Sequence, residues 1–367
     1  MAKLHSNRRS HAAALIAQAG LDAAAFVPGP NFYYLTGEAF HLMERPTVLF
    51  VTKSADVVAI IPELERLKWS QSFPDAPTFF WNDSDGFEEA FAAAGAELKG
   101  MAIGVEGGRM RVFEFQALCR HFARDGVRDA DSTLAGLRIS KDASEITSLQ
   151  RAIDISETAL SETIEEVRAG MTEKQVQNLL KSRMLENGAD GYAFEPIVLS
   201  GAKAANPHGV PDGSELQSGD ALLFDFGAQI QGYNADITRT FFVGHVSDRH
   251  AAVYDTVKSA NERGRNVATS NMTAHELDTI VTSVLLDSPF ADMIVHKTGH
   301  GLGLDVHEAP QIMIGNREPL VAGAVVTIEP GLYGAGDVGV RIEDDVLIEE
   351  SGSKSLTGFD RQIRVLG

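Results

Sequence analysis

The sequence contains a single cysteine, Cys119, among 367 residues. No disulfide can form within the chain, which excludes the small secreted domains that disulfides hold together and predicts a reducing, cytoplasmic location. Long apolar runs are also missing, since none approaches the ~18 residues that a membrane-spanning helix needs. We therefore expect no membrane partner.

Positive charge is scarce as well. The chain has 32 Lys and Arg residues against 51 Asp and Glu residues, a formal net charge of −19. Such an acidic surface repels nucleic acid and anionic membranes, so we expect no nucleic acid partner. The hydrophobic content of 44% is ample for a large core, and the length suggests two domains.

The two domains are predicted at residues 1–135 and 136–367. Over the first, helices alternate with short strands, which predicts an α/β domain. Residues 28–37 are rich in Pro, Gly and Asn and predict a loop. A long helix over about residues 144–168, with one apolar stripe, opens the second domain.

The second domain is predicted to contain strands with strong β character, interrupted by helices. Together with the first domain, this gives an α+β fold class. The predicted strands are residues 197–199, Ala221–Phe226, 236–243, Val325–Ile328 and 340–348.

A predicted hairpin carries Asp225 and Asp236. A turn centred on residues 229–232 would place the two aspartates directly opposite each other, with Cβ atoms about 4.5–5.5 Å apart. Two opposed anions in an apolar hairpin need a cation between them, or one of them must hold a proton. A divalent metal ion is the simplest solution. The alternative is that one aspartate caps the turn while the other pairs with Arg239.

Two histidines, His300 and His307, accompany a cluster of glycines that lets the backbone bend close to a ligand. Imidazole is a common metal ligand. Their spacing of seven would place them on opposite faces of a straight strand, so the chain must turn if both serve one site. The alternative is that each is an ordinary core histidine with its hydrogen bonds satisfied.

Further charged residues stand in apolar or loop surroundings. Glu329 ends a run of β-branched residues, where a solvated charge is unexpected. Arg341 and Glu343 are two residues apart and share a strand face, which also fits an exposed edge with an ordinary ion pair. Upstream, a loop of small residues presents His208, either as a donor at the site or as a surface histidine.

Taken together, these segments supply five metal-ligand side chains. Four carboxylates carry a charge of −4, which two divalent cations balance, as a two-metal hydrolytic centre requires. The five are Asp225, Asp236, His300, Glu329 and Glu343.

These segments, in this order, resemble the pita-bread metallopeptidases, and specifically their prolidase and aminopeptidase P branch. The resemblance covers nearly the whole chain. It implies a pita-bread catalytic domain behind a smaller, creatinase-like N-terminal domain that serves substrate access and dimerisation, and hence a homodimer. The implied reaction is hydrolysis of the bond before proline in dipeptides or short peptides.

The resemblance also implies roles for the five ligands. Asp225 would chelate one metal ion, His300 and Glu329 the other, and Asp236 and Glu343 would bridge the two. Manganese is the usual ion of the family, with cobalt and zinc as alternatives. A hydroxide held between the ions would attack the scissile carbonyl, and Glu329 would accept the proton of that water.

Four further residues receive roles from the same resemblance. His208 and His307 would steady the carbonyl oxygen and the tetrahedral intermediate. His296 matches a family histidine near the pocket on the proline side. Arg341 would orient Glu343 or touch the substrate.

One position departs from the family pattern. Several prolidases carry an Arg just after the His-Glu-x-Pro stretch, suited to the carboxylate of a dipeptide, and Gln311 stands there in this chain. The departure favours action on longer peptides, unless an arginine from elsewhere in the chain or from a partner subunit compensates.

Two metal-free functions exist on the same fold, a peptide-binding module and a creatinase-like hydrolase. Both lack the ligand set, which is intact here. Methionine aminopeptidases share the ligands but typically lack a domain like residues 1–135.

Overall fold

The computed structural model describes residues 2–122 and 126–367, which divide into two compact units between Leu137 and Arg138. No described helix is apolar over a length that would span a bilayer. The helices of the N-terminal unit are α1 Ala2–Gln18, α2 Pro30–Thr36, α3 Arg66–Ser72, α4 Glu88–Glu97, α5 Val112–His121 and α6 Asp131–Leu134. Its strands are β1 Ala23–Phe26, β2 Val48–Thr52, β3 Val57–Pro62, β4 Thr78–Trp81, β5 Ile103–Val105 and β6 Val127–Asp129.

The N-terminal unit is a mixed sheet covered by helices. Its strand order is β4-β3-β2-β1-β5-β6, antiparallel where β2 meets its two neighbours and parallel elsewhere. The four inner strands are almost wholly buried, and Phe50 and Phe91 lie in the core that the sheet forms with α4 and α5. The predicted α/β pattern is therefore observed.

The loop predicted over residues 28–37 is wrong, because α2 occupies most of it. Pro30 begins this helix, where its fixed φ suits a helical first residue and its missing N–H is not needed. Gly37 ends the helix in the left-handed conformation, with φ 77°, and donates its N–H to the carbonyl of Tyr33. Pro and Gly here mark the two ends of a short helix.

The C-terminal unit is built of short sheets with long helices. Its helices are α7 Ala143–Glu166, α8 Glu173–Glu186, α9 Asp248–Val267 and α10 Ala274–Leu286. Its strands are β7 Gly191–Tyr192, β8 Ile197–Ser200, β9 Ala221–Phe226, β10 Ala228–Ile230, β11 Tyr233–Asn234, β12 Ile237–Val243, β13 Gly299–Gly301, β14 Glu308–Ile312, β15 Val325–Ile328, β16 Gly331–Gly334, β17 Val338–Arg341, β18 Asp344–Glu349, β19 Gly352–Ser355 and β20 Val365–Leu366.

Four sheets form in this unit, with strand orders β11-β10-β7, β20-β12-β9-β8, β14-β13-β15-β18-β19 and β16-β17 among the described residues. Helices α9 and α10 bury an apolar face against the third of these, where Val257 and Val281 share a core with Ile328 and Val346. The predicted helix near 144–168 is observed as α7, which Asp142 caps by accepting the N–H groups of Ser144 and Glu145.

The strand predicted over residues 340–348 is interrupted. Strand β17 ends at Arg341 and pairs with β16, whereas β18 begins at Asp344 and pairs with β15 and β19. Between them, the N–H of Glu343 donates to the carbonyl of Thr238 at 3.1 Å. The chain thus passes from one sheet to another, and Glu343 stands at the crossing.

The predicted hairpin is present, but its register is not the predicted one. Asp225 pairs with Thr238 rather than with Asp236. The turn lies at Gln231 and Gly232, one residue later than predicted, and both residues have positive φ (51° and 81°), as two-residue hairpin turns require. A glycine in a sequence indicates a position where φ can be positive, whereas a glutamine does not. This explains why the turn was predicted one residue too early.

The hairpin bends at Gly227, opposite the segment that carries Asp236. Strand β9 belongs to one sheet and β10 to another, and Gly227 is the residue between them. A Cβ atom at Gly227 would lie 1.7 Å from the carbonyl oxygen of Ala235, so only glycine fits. Because the observed and predicted registers differ by two residues, strand alternation still places Asp236 on the same face as Asp225.

We predict that Gly227→Ala destabilises the protein by about 1–3 kcal/mol, because the new methyl group must displace backbone. The matched control is Gly213→Ala, since Gly213 has open space around it and no positive φ. Urea unfolding of both variants measures the difference. Equal stabilities would show that the close approach at Gly227 does not constrain the hairpin.

Candidate active site

A cavity of about 610 Å³ opens in the C-terminal unit, and every site residue predicted from the sequence lines it. Acidic and basic side chains form its polar floor and apolar side chains its walls. The predicted residues in its lining are His208, Asp225, Asp236, His296, His300, His307, Glu329, Arg341 and Glu343.

The five predicted metal ligands come from five separate pieces of chain. Asp225 lies on β9 and His300 on β13. Asp236 precedes β12, Glu329 follows β15, and Glu343 stands between β17 and β18. Strand ends and sheet crossings thus supply three of the five.

The five side chains converge closely enough to share cations. Ligand atoms of Asp225, Asp236 and Glu343 lie within 4.8 Å of one another, and so do those of His300, Glu329 and Glu343. Glu343 belongs to both of these groups, and Asp236 and His300 also form a third group with His307. Two overlapping donor groups that share a carboxylate fit a pair of divalent cations better than a single one.

The hydrogen bonds of His300 leave one ring nitrogen for a cation. Its Nδ1 lies 3.1 Å from the carbonyl of Gly301, which can only accept, so Nδ1 carries the proton. Burial lowers the pKa of His300 to about 3, so the ring is neutral. The lone pair of Nε2 then faces carboxylate oxygens of Glu329 at 3.3 Å and Asp236 at 3.7 Å, an arrangement that a cation stabilises.

The carboxylates are costly to ionise together. Burial, and then repulsion by neighbouring carboxylates, raises the pKa of Asp236 and of Glu343 well above the ordinary range. Burial likewise raises the pKa of Glu329 to about 7 and that of Asp225, although Arg341 opposes both increases. Oxygen-rich donors of this kind suit hard and borderline divalent metals.

The sequence matches two known protein families, one in each part of the chain. Residues 147–350 match metallopeptidase family M24, and residues 8–140 match the creatinase/prolidase N-terminal domain. The chain belongs to metallopeptidase family M24. The predicted α+β class, with a pita-bread catalytic domain and a creatinase-like N-terminal domain, is confirmed.

Several relatives of this M24 chain match it from end to end. A Xaa-Pro dipeptidase of Pyrococcus horikoshii is 32% identical over 94% of each chain. The crystal structure of dipeptidase PepE from Mycobacterium ulcerans has a TM-score of 0.92, with 31% identity, and covers 100% of this chain and 98% of its own. An X-Pro aminopeptidase of Thermotoga maritima has a TM-score of 0.85, with 31% identity, and covers 98% and 99%.

Membership of family M24 implies divalent metal ions, and the donor cluster of this M24 chain fits them. The alternative in which Arg239 neutralises an aspartate of the hairpin is wrong. Arg239 Nη2 instead donates to Asp344 Oδ1 at 2.7 Å. The exposed-edge alternative is also wrong, because Arg341 and Glu343 are only 4% and 2% exposed.

Arg341 holds the acidic floor of the M24 site together. Its guanidinium donates to Asp225, to the hydroxyl of Tyr333 at 2.9 Å and to the hydroxyl of Thr238 at 2.9 Å. Thr238 in turn donates to Glu343 Oε2 at 2.6 Å. Arg341 therefore acts on Glu343 largely through Thr238.

The histidines differ in their surroundings. The chain turns between β13 and β14, so the rings of His300 and His307 lie 4.0 Å apart between centroids, and the turn that their spacing required is observed.

His296 donates from Nδ1 to the carbonyl of Lys297 at 2.7 Å and accepts the Tyr333 hydroxyl at Nε2, 2.8 Å away. Burial lowers the pKa of His296 to about 4, so it presents a neutral ring to the cavity. His208 is exposed on the loop after β8.

Several supporting residues were missed in the sequence. Besides Thr238 and Tyr333, Asp345 accepts the N–H of Asp236 at 3.2 Å, and Thr327 accepts the N–H of His300 at 3.1 Å. Thr238 lies two residues after Asp236, so strand alternation could have placed both on one face. Nothing in the sequence pattern distinguishes Tyr333 or Asp345 from ordinary core residues.

We predict that the metal-free protein loses stability as the pH rises. The folded-state pKa values of Asp236, Glu343 and Glu329 lie above those of unfolded carboxyl groups, so the folded chain binds more protons. Its free energy of unfolding therefore falls from about pH 4.5 through about pH 7. Added manganese should restore stability, and more at about pH 8 than at about pH 5, because the ligands must be deprotonated.

Thermal unfolding with a chelator and with manganese measures both effects. The Asp236→Asn variant is the control, since a neutral amide removes one repelling charge. The melting temperature of the chelated variant should depend less on pH, and manganese should raise that temperature less than it does in the wild type. A melting temperature that rises with pH in the chelated wild type would contradict this account of the cluster.

Proposed function

We propose that this chain hydrolyses the Xaa-Pro peptide bond of dipeptides or short peptides, with two divalent cations held by the five ligands in its cavity. The observation that carries the proposal is the complete donor cluster, Asp225, Asp236, His300, Glu329 and Glu343, in the cavity of an M24 chain. The Pyrococcus relative, similar over 94% of both lengths, is a Xaa-Pro dipeptidase, which supports this specificity.

The donor set supports two cations, and we propose manganese as the native ion, with cobalt or zinc as alternatives. When bound, such ions polarise a scissile carbonyl and lower the pKa of the attacking water. We propose that Asp225 would hold one ion, that His300 and Glu329 would hold the other, and that Asp236 and Glu343 would contribute oxygen ligands to both.

Glu329 is suited to move a proton during the reaction. Its side chain faces the cavity and is 15% exposed, so an oxygen of the carboxylate can meet a water molecule there. A positioned carboxylate is a common general base. We therefore propose that Glu329 accepts the proton of the attacking water.

His307 and His208 line the cavity near the ligands and are proposed to stabilise the carbonyl oxygen as negative charge develops on it. Burial, and then the positive charge of Lys297, lowers the pKa of His307, so its ring is neutral at pH 7. A neutral imidazole N–H still donates a hydrogen bond to an oxyanion.

The substrate side chains face apolar walls. Phe194, Ile197, Val295 and Val306 line the cavity. The ring of His296, whose two nitrogens are engaged within the protein, adds a further surface. A proline ring carries no N–H in a Xaa-Pro bond, so shape and apolar contact must recognise it. We propose that His296 lies on the proline side.

Three expectations remain predictions. These are the homodimer, the role of residues 1–135 in substrate access and dimerisation, and the cytoplasmic location that the single cysteine suggests. The metal-free alternatives, a peptide-binding module and a creatinase-like hydrolase, are disfavoured by the donor set and by the dipeptidase relatives.

We predict that Asp236→Ala and His307→Ala lose activity for different reasons. Asp236→Ala should bind less metal and lose Xaa-Pro hydrolysis, because a ligand near both cations is removed. His307→Ala should keep its metal but lose about 10²–10³-fold in kcat, the usual effect of removing one donor to an oxyanion.

Mass spectrometry of metal content and assays with manganese separate the two variants. Wild-type protein should hold close to two metal ions per chain. Wild-type turnover by Asp236→Ala, or loss of metal from His307→Ala, would refute the corresponding assignment. Absence of metal from manganese-treated wild type would favour the peptide-binding module.

A further inference from the structure

Two permanent cations line the cavity, Arg341 and Lys297. Arg341 is already bound within the protein, because its three side-chain nitrogens donate to Asp225, Tyr333 and Thr238. Lys297, on the segment between α10 and β13, makes no ion pair with any described residue. Its positive charge is therefore available to a bound molecule.

Lys297 is held in place by a neutral partner. Its Nζ donates to the side-chain oxygen of Gln311, on β14. Gln311 is itself fixed by two hydrogen bonds. Its Nε2 donates to the backbone carbonyl of Glu308 at 3.1 Å, and its own backbone carbonyl accepts from Asn316 Nδ2 at 2.7 Å. An ammonium group has three N–H donors, so this contact leaves two of them for another acceptor.

The charge of Lys297 reaches the reaction space. Gln311 is the register partner of His300 across β13 and β14, so the ammonium is held close to the donor cluster. Lys297 also lines the same cavity as the five ligands and as His307.

We propose that Lys297, positioned by Gln311, binds the free carboxylate of the proline residue in a Xaa-Pro dipeptide. The inference rests on the proposed Xaa-Pro hydrolysis and specifies its substrate class. In a dipeptide this carboxylate is bonded to the proline Cα, one residue from the scissile bond, so it must enter the same cavity. Inside the cavity this carboxylate loses much of its hydration, and a cation must compensate for that loss.

Lys297 thereby accounts for the glutamine at position 311. That position does not supply a cation in this chain, but its amide oxygen holds the cation that position 297 supplies. A longer peptide would present a neutral carbonyl to Lys297 and gain less from it, because hydrogen bonds to charged acceptors are the stronger ones. The enzyme therefore favours dipeptides over longer Xaa-Pro peptides.

The test compares leucyl-proline with leucyl-prolinamide, which has the same shape but no carboxylate charge. With manganese-loaded wild type, kcat/KM should be higher for the acid. In Lys297→Met this acid-to-amide ratio should fall about 10- to 100-fold, mainly through KM for the acid, as expected for a lost hydrogen bond to a charged group. Lys297→Arg should keep most of the ratio.

A second variant tests the same charge without changing Lys297. Gln311→Glu replaces the neutral partner with a carboxylate of the same shape, which should neutralise the ammonium and lower the ratio as well. Lys354→Met removes an exposed lysine of the same unit and should leave the ratio unchanged. Metal content and melting temperature confirm that each variant is folded.

The outcomes are distinct. If wild type cleaves both substrates and the ratio is unchanged in Lys297→Met and in Gln311→Glu, Lys297 does not bind the carboxylate, and the proposed function stands. If manganese-loaded wild type cleaves neither substrate, the proposed function fails and this inference fails with it.

Discussion

The cost of ionising four carboxylates together inside one cavity is the constraint on which the rest of this structure depends. Asp225, Asp236, Glu329 and Glu343 share one cavity floor, and burial alone would keep them protonated. Raising the pKa of Glu329 from 4.5 to about 7 corresponds to about 3 kcal/mol of disfavoured ionisation. Against a typical folding free energy of about 5–15 kcal/mol, all four groups can be ionised together only if cations neutralise them.

The fold supports this cluster by placing its members where regular pairing stops. Gly227 lets the hairpin pass from one sheet to another beside Ala235 and Asp236, and the crossing between β17 and β18 presents Glu343. Arg341 and Thr238 bind two of the carboxylates from behind, which fixes their orientation. Regular strands could not bring five donors together so closely, because their side chains alternate between faces.

Much of the site could be predicted because charged residues in apolar surroundings are conspicuous. Asp225 and Glu329 interrupt or end β-branched and aromatic runs, and His300 stands among glycines. The hairpin register was not predictable, because Gln231 adopts a positive φ that a glutamine does not signal. Lys297 could not be predicted as a site residue for a different reason: its partner Gln311 is brought beside it only by the folding of β14.

A division of the chain into two domains could be predicted from its sequence, but the change of sheet at residues 342–343 could not. An unbroken β-type sequence from Val340 to Ile348 contains no Pro or Gly that would mark the crossing. Tertiary hydrogen bonds to Thr238 and Pro330 decide it. Contacts between distant segments therefore determine the finer geometry of the site, and local propensity determines its framework.

Anomalous diffraction from crystals grown with manganese tests the central claim most directly. The account predicts two peaks about 3.5–4 Å apart, enclosed by Asp225, Asp236, His300, Glu329 and Glu343. No peak there, or manganese bound only at other carboxylates, would contradict it.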